Sequence, residues 1–233
     1  MQGNKSLRKE RDMTKKNARN TRGKIVEAAW RLFYEQGYEN TTVEEIISSS
    51  YTSKGSFYHY FGGKDALLST LSDLFDQKYT ELEESLDPDM PAMEKLLFLN
   101  SELFRMIENT VSVDLLARLL STQLVTNGEK HLLNHKRIYY RLLRKIIAEG
   151  QEKGEISRDR NVNDMVKLYA LCERAFMYDW CLCGGEYSLQ AYAARQMPVF
   201  LYDFLPGVSS NICTDENIEM KGKTGYDTER SID

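Results

Sequence analysis

The sequence is poor in proline and has no long apolar run. Four prolines occur among 233 residues, and no apolar stretch approaches the ~18 residues that a membrane-spanning helix needs. Scarce proline favours long helices, because proline breaks a helix interior. No segment alternates apolar and polar residues for long enough to predict a half-buried strand. We therefore expect an all-α protein without a membrane segment.

Catalytic and metal-binding patterns are also missing. The chain has no glycine-rich phosphate loop and no nucleophile elbow. His131 and His135 stand four residues apart but lack a third ligand, and cysteines at helical positions are typical of small hydrophobes. We expect no catalytic residue, no metal, no cofactor and no enzyme activity. The basic N-terminus leads into polar residues rather than an apolar signal core, which predicts a cytoplasmic protein with reduced cysteines.

Positive charge is concentrated at one end of the chain. Residues 1–24 hold nine Lys or Arg against two acidic residues, a net charge of +7. The first 65 residues carry +4 and the remaining 168 carry −8. A basic end on an acidic body suggests that the first part meets a polyanion, although a solvated arm would have the same composition.

Helical periodicity and capping signals divide the rest of the chain. Apolar residues at helical spacing begin near Thr21, and Thr42 with Glu45 forms a capping box for a short second helix. A third short helix follows from about Ser53 to Tyr60. We expect a disordered basic arm (1–20), a unit of short helices (21–65, with a helix-turn-helix at about 42–61), a larger helical and amphipathic domain (66–207) and a disordered tail (208–233). Long helices are predicted at about 64–86, 92–108, 113–125, 130–151, 162–183 and 189–205.

The stretch SSSYTSKGSFYHYF, residues 48–61, fits the turn and second helix of a helix-turn-helix unit. Such a helix enters the major groove of DNA by its first residues, where small hydroxyls and a lysine can reach phosphates and base edges. Phe57 and Phe61 are expected in a small core with Ile25, Leu32, Phe33, Val43 and Ile46. The predicted DNA contacts are Thr42, Ser53, Lys54, Gly55, Ser56, Tyr58, His59 and Lys64.

Residues 42–68, TVEEIISSSYTSKGSFYHYFGGKDALL, resemble the TetR family of bacterial transcriptional regulators. The family pattern runs T-V-x-x-I-A-x-x-A-G-V-S-K-G-T-L-Y-x-Y-F-x-x-K-E-x-L, and TRGKIVEAAWRLFYEQGYENTT upstream resembles the family's first helix. The chain departs at the turn, where Tyr51 replaces the usual glycine and Thr52 the usual valine. Either the turn differs in shape or Tyr51 is strained in place.

The resemblance implies that residues 21–65 are a DNA-binding domain and that residues 66–207 are a regulatory and dimerisation domain, which binds a small molecule and forms a homodimer. The expected pocket residues are Phe104, Ile107, Leu116, Leu120, Tyr139, Leu143, Phe176 and Trp180, all of which core packing would also explain. The expected dimer contacts, on the last two helices, are Met165, Tyr169, Cys172, Tyr192, Met197, Phe200, Leu201 and Phe204. An intramolecular core would show the same stripes. Pro198 is expected to kink the last helix.

The implied function is that of a ligand-responsive repressor of transcription, binding a near-palindromic operator as a homodimer with an unknown small-molecule effector. Three other interpretations stay open. A non-specific or architectural DNA binder would share the basic arm and the phosphate contacts, and an activator would share the whole domain plan. A helical enzyme or carrier that merely contains a three-helix module would bind no DNA.

Overall fold

The computed structural model describes residues 3–125 and 130–208, with residues 3–19 described by their backbone only. Every regular element in these ranges is helical, which confirms the all-α fold, and no described helix is long and apolar enough to cross a membrane. The α-helices are α1 (Gly3–Gln36), α2 (Val43–Ser49), α3 (Lys54–Tyr60), α4 (Lys64–Leu68), α5 (Leu71–Ser85), α6 (Ala92–Thr110), α7 (Val113–Val125), α8 (Ile138–Lys153), α9 (Val162–Leu182) and α10 (Leu189–Phe200). Short 3₁₀-helices lie at His131–Leu133 and Tyr202–Phe204.

The first three α-helices pack around one small apolar core. Ile25, Ala29 and Phe33 recur every four residues and so lie on one face of α1, which is buried against α2 and α3. Phe57 and Phe61 are buried in the same cluster, as the sequence predicted. This core holds α3 while leaving its opposite face in solvent.

Helix α1 begins at Gly3, well before the predicted start near Thr21. The segment expected to be a disordered arm therefore has helical backbone from Gly3 onward. Residues 4–20 contain neither proline nor glycine and are rich in Lys and Arg, which are good helix formers. The predicted tail, apart from Val208, lies outside the described residues.

The predicted helix at 64–86 is divided into α4 and α5 at Ser69 and Thr70. The hydroxyls of Ser69, Thr70 and Ser72 donate to carbonyls three residues earlier, at 2.7, 2.6 and 2.5 Å. Hydroxyls that bond to the backbone in this way bend helices, and the local backbone bonds are of the 3₁₀ type. Trp30 Nε1 donates to Thr70 Oγ1 at 2.8 Å and ties the break to α1.

Helices α5 to α10 form the larger second unit, with α6 in contact with α5, α8 and α10. Helix α9 packs against α7, α8 and α10. Gly150 lets α8 approach the start of α6 closely, because a Cβ at Gly150 would lie 2.6 Å from Ala92 Cβ. Glu155 Oε2 accepts from the Ala92 backbone N–H at 2.6 Å and caps α6.

Two of the later helices differ from their predicted bounds. Helix α8 begins at Ile138 rather than near Lys130, because Asn134 Oδ1 accepts from the Lys136 backbone N–H at 2.9 Å and forms a turn instead of a helix start. Helix α10 ends at Phe200, two residues after Pro198, and the chain continues as a 3₁₀ turn. Pro198 lacks the N–H that would donate to the Ala194 carbonyl but lies inside the helix, and the kink expected there stays a prediction.

Candidate functional site

Helix α3 presents its first turn to solvent. Ser53 is its N-cap, and Ser53 Oγ accepts from the Ser56 backbone N–H at 3.1 Å. Five residues of this helix and its cap are exposed, namely Ser53, Lys54, Gly55, Tyr58 and His59. Ser56 is half-buried. Six of the eight predicted DNA contacts are thus brought together on one short helix and its cap.

Thr42, the seventh predicted contact, begins α2. Its Oγ1 accepts from the Glu45 backbone N–H at 3.2 Å, and Glu45 Oε2 accepts from the Thr42 backbone N–H at 2.7 Å. These hydrogen bonds lower the pKa of the Glu45 carboxyl. The predicted capping box is confirmed, and it fixes where α2 begins.

Lys64, the eighth predicted contact, is engaged inside the protein. Its ammonium donates to the carbonyls of Tyr38 and Thr41 at 2.7 and 2.9 Å and lies 4.2 Å from the centre of the Tyr38 ring. It ties the start of α4 to the link between α1 and α2. Lys64 therefore positions the helix-turn-helix unit, and we omit it from the proposed phosphate contacts.

The turn between α2 and α3 has the usual shape of a glycine turn but carries a tyrosine. Tyr51 has φ of +52° and is 95% exposed. Its backbone N–H donates to Ser48 O, and that of Thr52 donates to Ile47 O, both at 3.2 Å. This pair of bonds is the Schellman motif, whose left-handed position normally holds glycine. Of the two alternatives left by the sequence, Tyr51 is strained in place.

One cluster of contacts joins the helix-turn-helix unit to the second unit. Arg118 of α7 pairs with Glu39 at 2.6 Å, and its guanidinium lies 4.9 Å from the centre of the Tyr38 ring. The Tyr38 hydroxyl donates to Asp65, and burial together with that carboxylate raises the pKa of Tyr38. Lys64 also lies over this ring. Helix α7 is thereby in direct contact with the link that precedes α2.

The predicted pocket residues are buried or half-buried but do not enclose one cavity. Phe104, Ile107, Leu116 and Leu143 are fully buried core residues. The second unit contains a small cavity with a volume of about 30 Å³. Its lining residues are Phe75, Tyr79, Leu103, Leu132, Arg137, Tyr139, Ala170, Glu173, Arg174 and Met177. Tyr139 alone of the predicted set is among them.

Glu173 is the polar group that the sequence analysis missed. It is 2% exposed, and its carboxylate accepts from Tyr139 Oη at 2.6 Å, Asn100 Nδ2 at 3.1 Å and Tyr79 Oη at 3.4 Å. Burial raises the pKa of Glu173, and the donated hydrogen bonds act in the opposite direction. A signal existed, since Glu173 follows Tyr169 by four residues and precedes Phe176 by three, on the apolar face of α9.

Most of the predicted dimer contacts lie inside the chain itself. Six of the eight are buried in the chain's own core, namely Met165, Tyr169, Cys172, Met197, Leu201 and Phe204. They cannot reach a partner, so the prediction is corrected for these six. Tyr192 and Phe200 are exposed.

Helix α9 also carries an exposed apolar stripe. Leu171, Ala175, Tyr178 and Leu182 recur every three or four residues and so share one face of the helix. Tyr192, Val199 and Phe200 of the neighbouring α10 are also exposed. We call these seven residues the α9–α10 face.

Residues 25–71 match the family model described as "Bacterial regulatory proteins, tetR family". The probable HTH-type transcriptional regulator ArpR of Pseudomonas putida is 38% identical over 90 residues, which cover 36% of this chain and 42% of ArpR. This chain therefore spans less than half the length of that relative. The fatty acid metabolism regulator protein of Bacillus subtilis is 26% identical over 168 residues, covering 72% of this chain and 87% of that protein.

Solved structures show the same fold over most of the chain. FadR from Bacillus subtilis, in complex with stearoyl-CoA, is 22% identical with a TM-score of 0.60 and covers 78% of this chain and 98% of its own. FadR from Thermus thermophilus, in complex with lauroyl-CoA, is 21% identical with a TM-score of 0.63, covering 83% and 98%. At these identities the likeness establishes the arrangement of helices.

Proposed function

Because this chain belongs to the TetR family of bacterial regulators through its DNA-binding domain, we propose that it is a sequence-specific repressor of transcription that a small molecule releases from its operator. The exposed first turn of α3 is the observation that carries the proposal. It presents hydroxyls and one ammonium on a helix whose other face, with Phe57, is buried. A helix held in this way can enter the major groove by its N-terminal residues.

The side chains of α3 would divide into two roles. Lys54, Ser53 and Ser56 stand first in the helix or at its cap, where they can donate to base edges and phosphates. Tyr58 and His59 lie further along and can donate to phosphate oxygens, which set the register on DNA without reading sequence. Thr42 would add a contact from the start of α2.

Two copies of the chain would read one operator. A single short helix makes few base contacts, whereas two recognition helices about 34 Å apart contact a near-palindrome together. The α9–α10 face is our proposed homodimer surface, because it is the exposed apolar face on the two helices that the family resemblance implicates. It replaces the six buried residues of the earlier prediction.

Release from DNA would follow from linkage between two conformations. A ligand that prefers a conformation with the two α3 helices at the wrong separation lowers operator affinity by its differential affinity, typically about 1–3 kcal/mol. The contact of Arg118 with Glu39 and Tyr38 offers a physical route from α7 to the helix-turn-helix unit. The acyl-CoA complexes of the FadR proteins support a small molecule as effector.

The remaining assignments follow from this function. We propose residues 21–65 as the DNA-binding domain and residues 66–207 as the regulatory domain, with the segment before residue 21 adding phosphate contacts. Regulation by binding alone needs no catalytic group, so we propose no enzyme activity. A partner that is chromosomal DNA places the protein in the cytoplasm.

Selection of random duplex DNA by the purified chain, at controlled salt, tests the proposal. We expect enrichment of a short pseudo-palindrome with half-sites one helical turn apart. Substitution of Lys54 by Gln should weaken binding to the enriched duplex, whereas Glu152→Gln, at an exposed position of α8, should leave it unchanged.

Two results would contradict the proposal. Enrichment without a motif, with a steep dependence on salt, would indicate an architectural DNA binder. Absence of any enrichment would favour a helical enzyme or carrier.

A further inference from the structure

The second unit contains a buried carboxylate without a cationic partner. Glu173 is 2% exposed, and none of the ion pairs formed among residues 3–125 and 130–208 includes it. A buried ionised carboxylate costs free energy unless a charge or several hydrogen bonds compensate it. Such a group in the core is a candidate for function as well as for packing.

All groups that contact the Glu173 carboxylate can act as donors. Tyr139 Oη at 2.6 Å and Asn100 Nδ2 at 3.1 Å make the two short contacts, and Tyr79 Oη at 3.4 Å makes a long one. Donors on every side suit an ionised carboxylate, which only accepts hydrogen bonds. The Tyr79 contact is the weakest of the three and the easiest for a ligand to replace.

The cavity described above lies directly against this carboxylate. Tyr79 and Tyr139 line it together with Glu173, and their ring centres are 4.9 Å apart. Phe75, Leu103 and Met177 complete an apolar wall. Aromatic faces and one carboxylate are the groups that recognise ammonium ions in proteins.

Two arginines also line the cavity, but both have other partners. Arg137 pairs with Asp76 at 3.0 Å and donates to Ser72 O at 3.1 Å. Arg174 is half-exposed and hydrogen-bonds to Tyr140. Glu173 and Arg174 are the charged lining side chains that take part in none of the ion pairs of the described residues. Of these two, Glu173 is the deeper one, and charges act most strongly where water is excluded.

We propose that this cavity is the effector site for an organic cation, an amine or quaternary ammonium compound that carries an apolar or aromatic group. The inference rests on the proposed function for its regulatory meaning, and it assigns the class of ligand. The ligand's charge would compensate Glu173, and the Tyr79 and Tyr139 rings would contact its ammonium group. About 30 Å³ is too little for such a compound, so binding must move the lining helices α5, α8 and α9. That movement would give the ligand different affinities for the two conformations.

Three probes of matched shape and different charge test the proposal. Benzyltrimethylammonium is the cation, neopentylbenzene its neutral counterpart and phenylmethanesulfonate its anionic counterpart. Binding to the full chain is measured by calorimetry for the unsubstituted protein, Glu173→Gln and Glu152→Gln. The last variant removes one exposed acidic charge and controls for net charge. We expect the cation to bind the unsubstituted protein and Glu152→Gln alike, and Glu173→Gln at least about tenfold more weakly.

The outcomes separate this inference from the proposed function. Any one of four results would overturn the inference. These are no cation binding up to the solubility limit, equal affinity for all three probes, preference for the sulfonate, and unchanged cation affinity in Glu173→Gln. If Glu173→Gln does not fold, the charge series on the unsubstituted protein decides alone. The selection of duplex DNA needs no ligand, so it tests the proposed function separately. If the protein selects an operator but does not bind the cation, only this inference is wrong. If it selects no operator, the proposed function is wrong.

Discussion

At the scale of single residues, Tyr51 is the one non-glycine residue with positive φ among the described residues. A left-handed conformation costs a residue with a Cβ roughly 1–2 kcal/mol, and glycine avoids that cost. We expect Tyr51→Gly to raise the free energy of unfolding by about 1 kcal/mol in urea denaturation. Its side chain is 95% exposed, so its removal gives up little packing.

Tyr51→Ala is the matched control for that gain. Alanine keeps the Cβ and hence the strain, so we expect no comparable stabilisation. If the two variants are equally stable, the strain is not located at this turn. The sequence identified Tyr51 as the departure from the family pattern, but only the backbone angle distinguished strain from a different turn.

Glu173 should make stability depend on pH in a direction opposite to that of most carboxylates. Its folded-state pKa is raised above the ordinary value of 4.5, mainly by burial. The folded state therefore holds this proton more tightly than the unfolded chain does. The resulting stabilisation is present below about pH 4.5 and is lost as pH rises through the folded-state pKa.

Thermal unfolding across this pH range measures the effect. Glutamine does not titrate, so the stability of Glu173→Gln lacks this pH dependence. We therefore expect the difference in melting temperature, variant minus unsubstituted protein, to increase from about pH 4 to about pH 8. Glu152→Gln, at an exposed position, is the control for the loss of one acidic side chain. A difference for Glu173→Gln that falls with pH would mean that hydrogen bonds outweigh burial.

At the scale of elements, two glycines inside helices should respond oppositely to alanine. Gly23 of α1 has nothing within 4 Å of an added Cβ, so Gly23→Ala should stabilise by roughly 0.5–1 kcal/mol. At Gly150 the Cβ would lie 2.6 Å from Ala92 Cβ, so Gly150→Ala should destabilise by about 1–3 kcal/mol. Denaturant unfolding of both variants is the measurement. Equal shifts would mean that α6 and α8 are not in close contact at this point.

The bounds of several helices could be predicted because their signals are local. Thr42 with Glu45 sets the start of α2, and apolar spacing identifies the buried face of α1. The division at Ser69 and Thr70 could not be predicted in the same way. It depends on hydroxyls that bond to the backbone and on Trp30, which arrives from another helix.

The residues of the candidate site also differ in whether the sequence alone could assign their roles. The α3 contacts follow from motif and spacing, whereas Lys64 could be assigned only after its carbonyl partners were known. Periodicity cannot distinguish a residue that faces its own core from one that faces a partner. Met165 and Leu171 both fit apolar stripes of α9, yet the first is buried and the second is 55% exposed.

At the scale of the whole molecule, the proposed function requires that two α3 helices act together, so we expect dimerisation to control DNA affinity. Leu171 lies at 55% exposure within the α9–α10 face. In a two-fold symmetric interface a single substitution is present twice. Leu171→Glu would therefore bring two carboxylates into an apolar contact, where each loses solvation.

We expect Leu171→Glu to weaken the dimer at least about 100-fold, equivalent to about 2.7 kcal/mol. Sedimentation measures the association, and titration of the selected duplex should show a parallel loss of operator affinity with unchanged helical content. Leu124→Glu is the matched control, since Leu124 is 70% exposed at the end of α7, a helix that contributes no residue to that face. A Leu171→Glu protein that stays dimeric and binds the operator normally would require a different surface to bring the two α3 helices together.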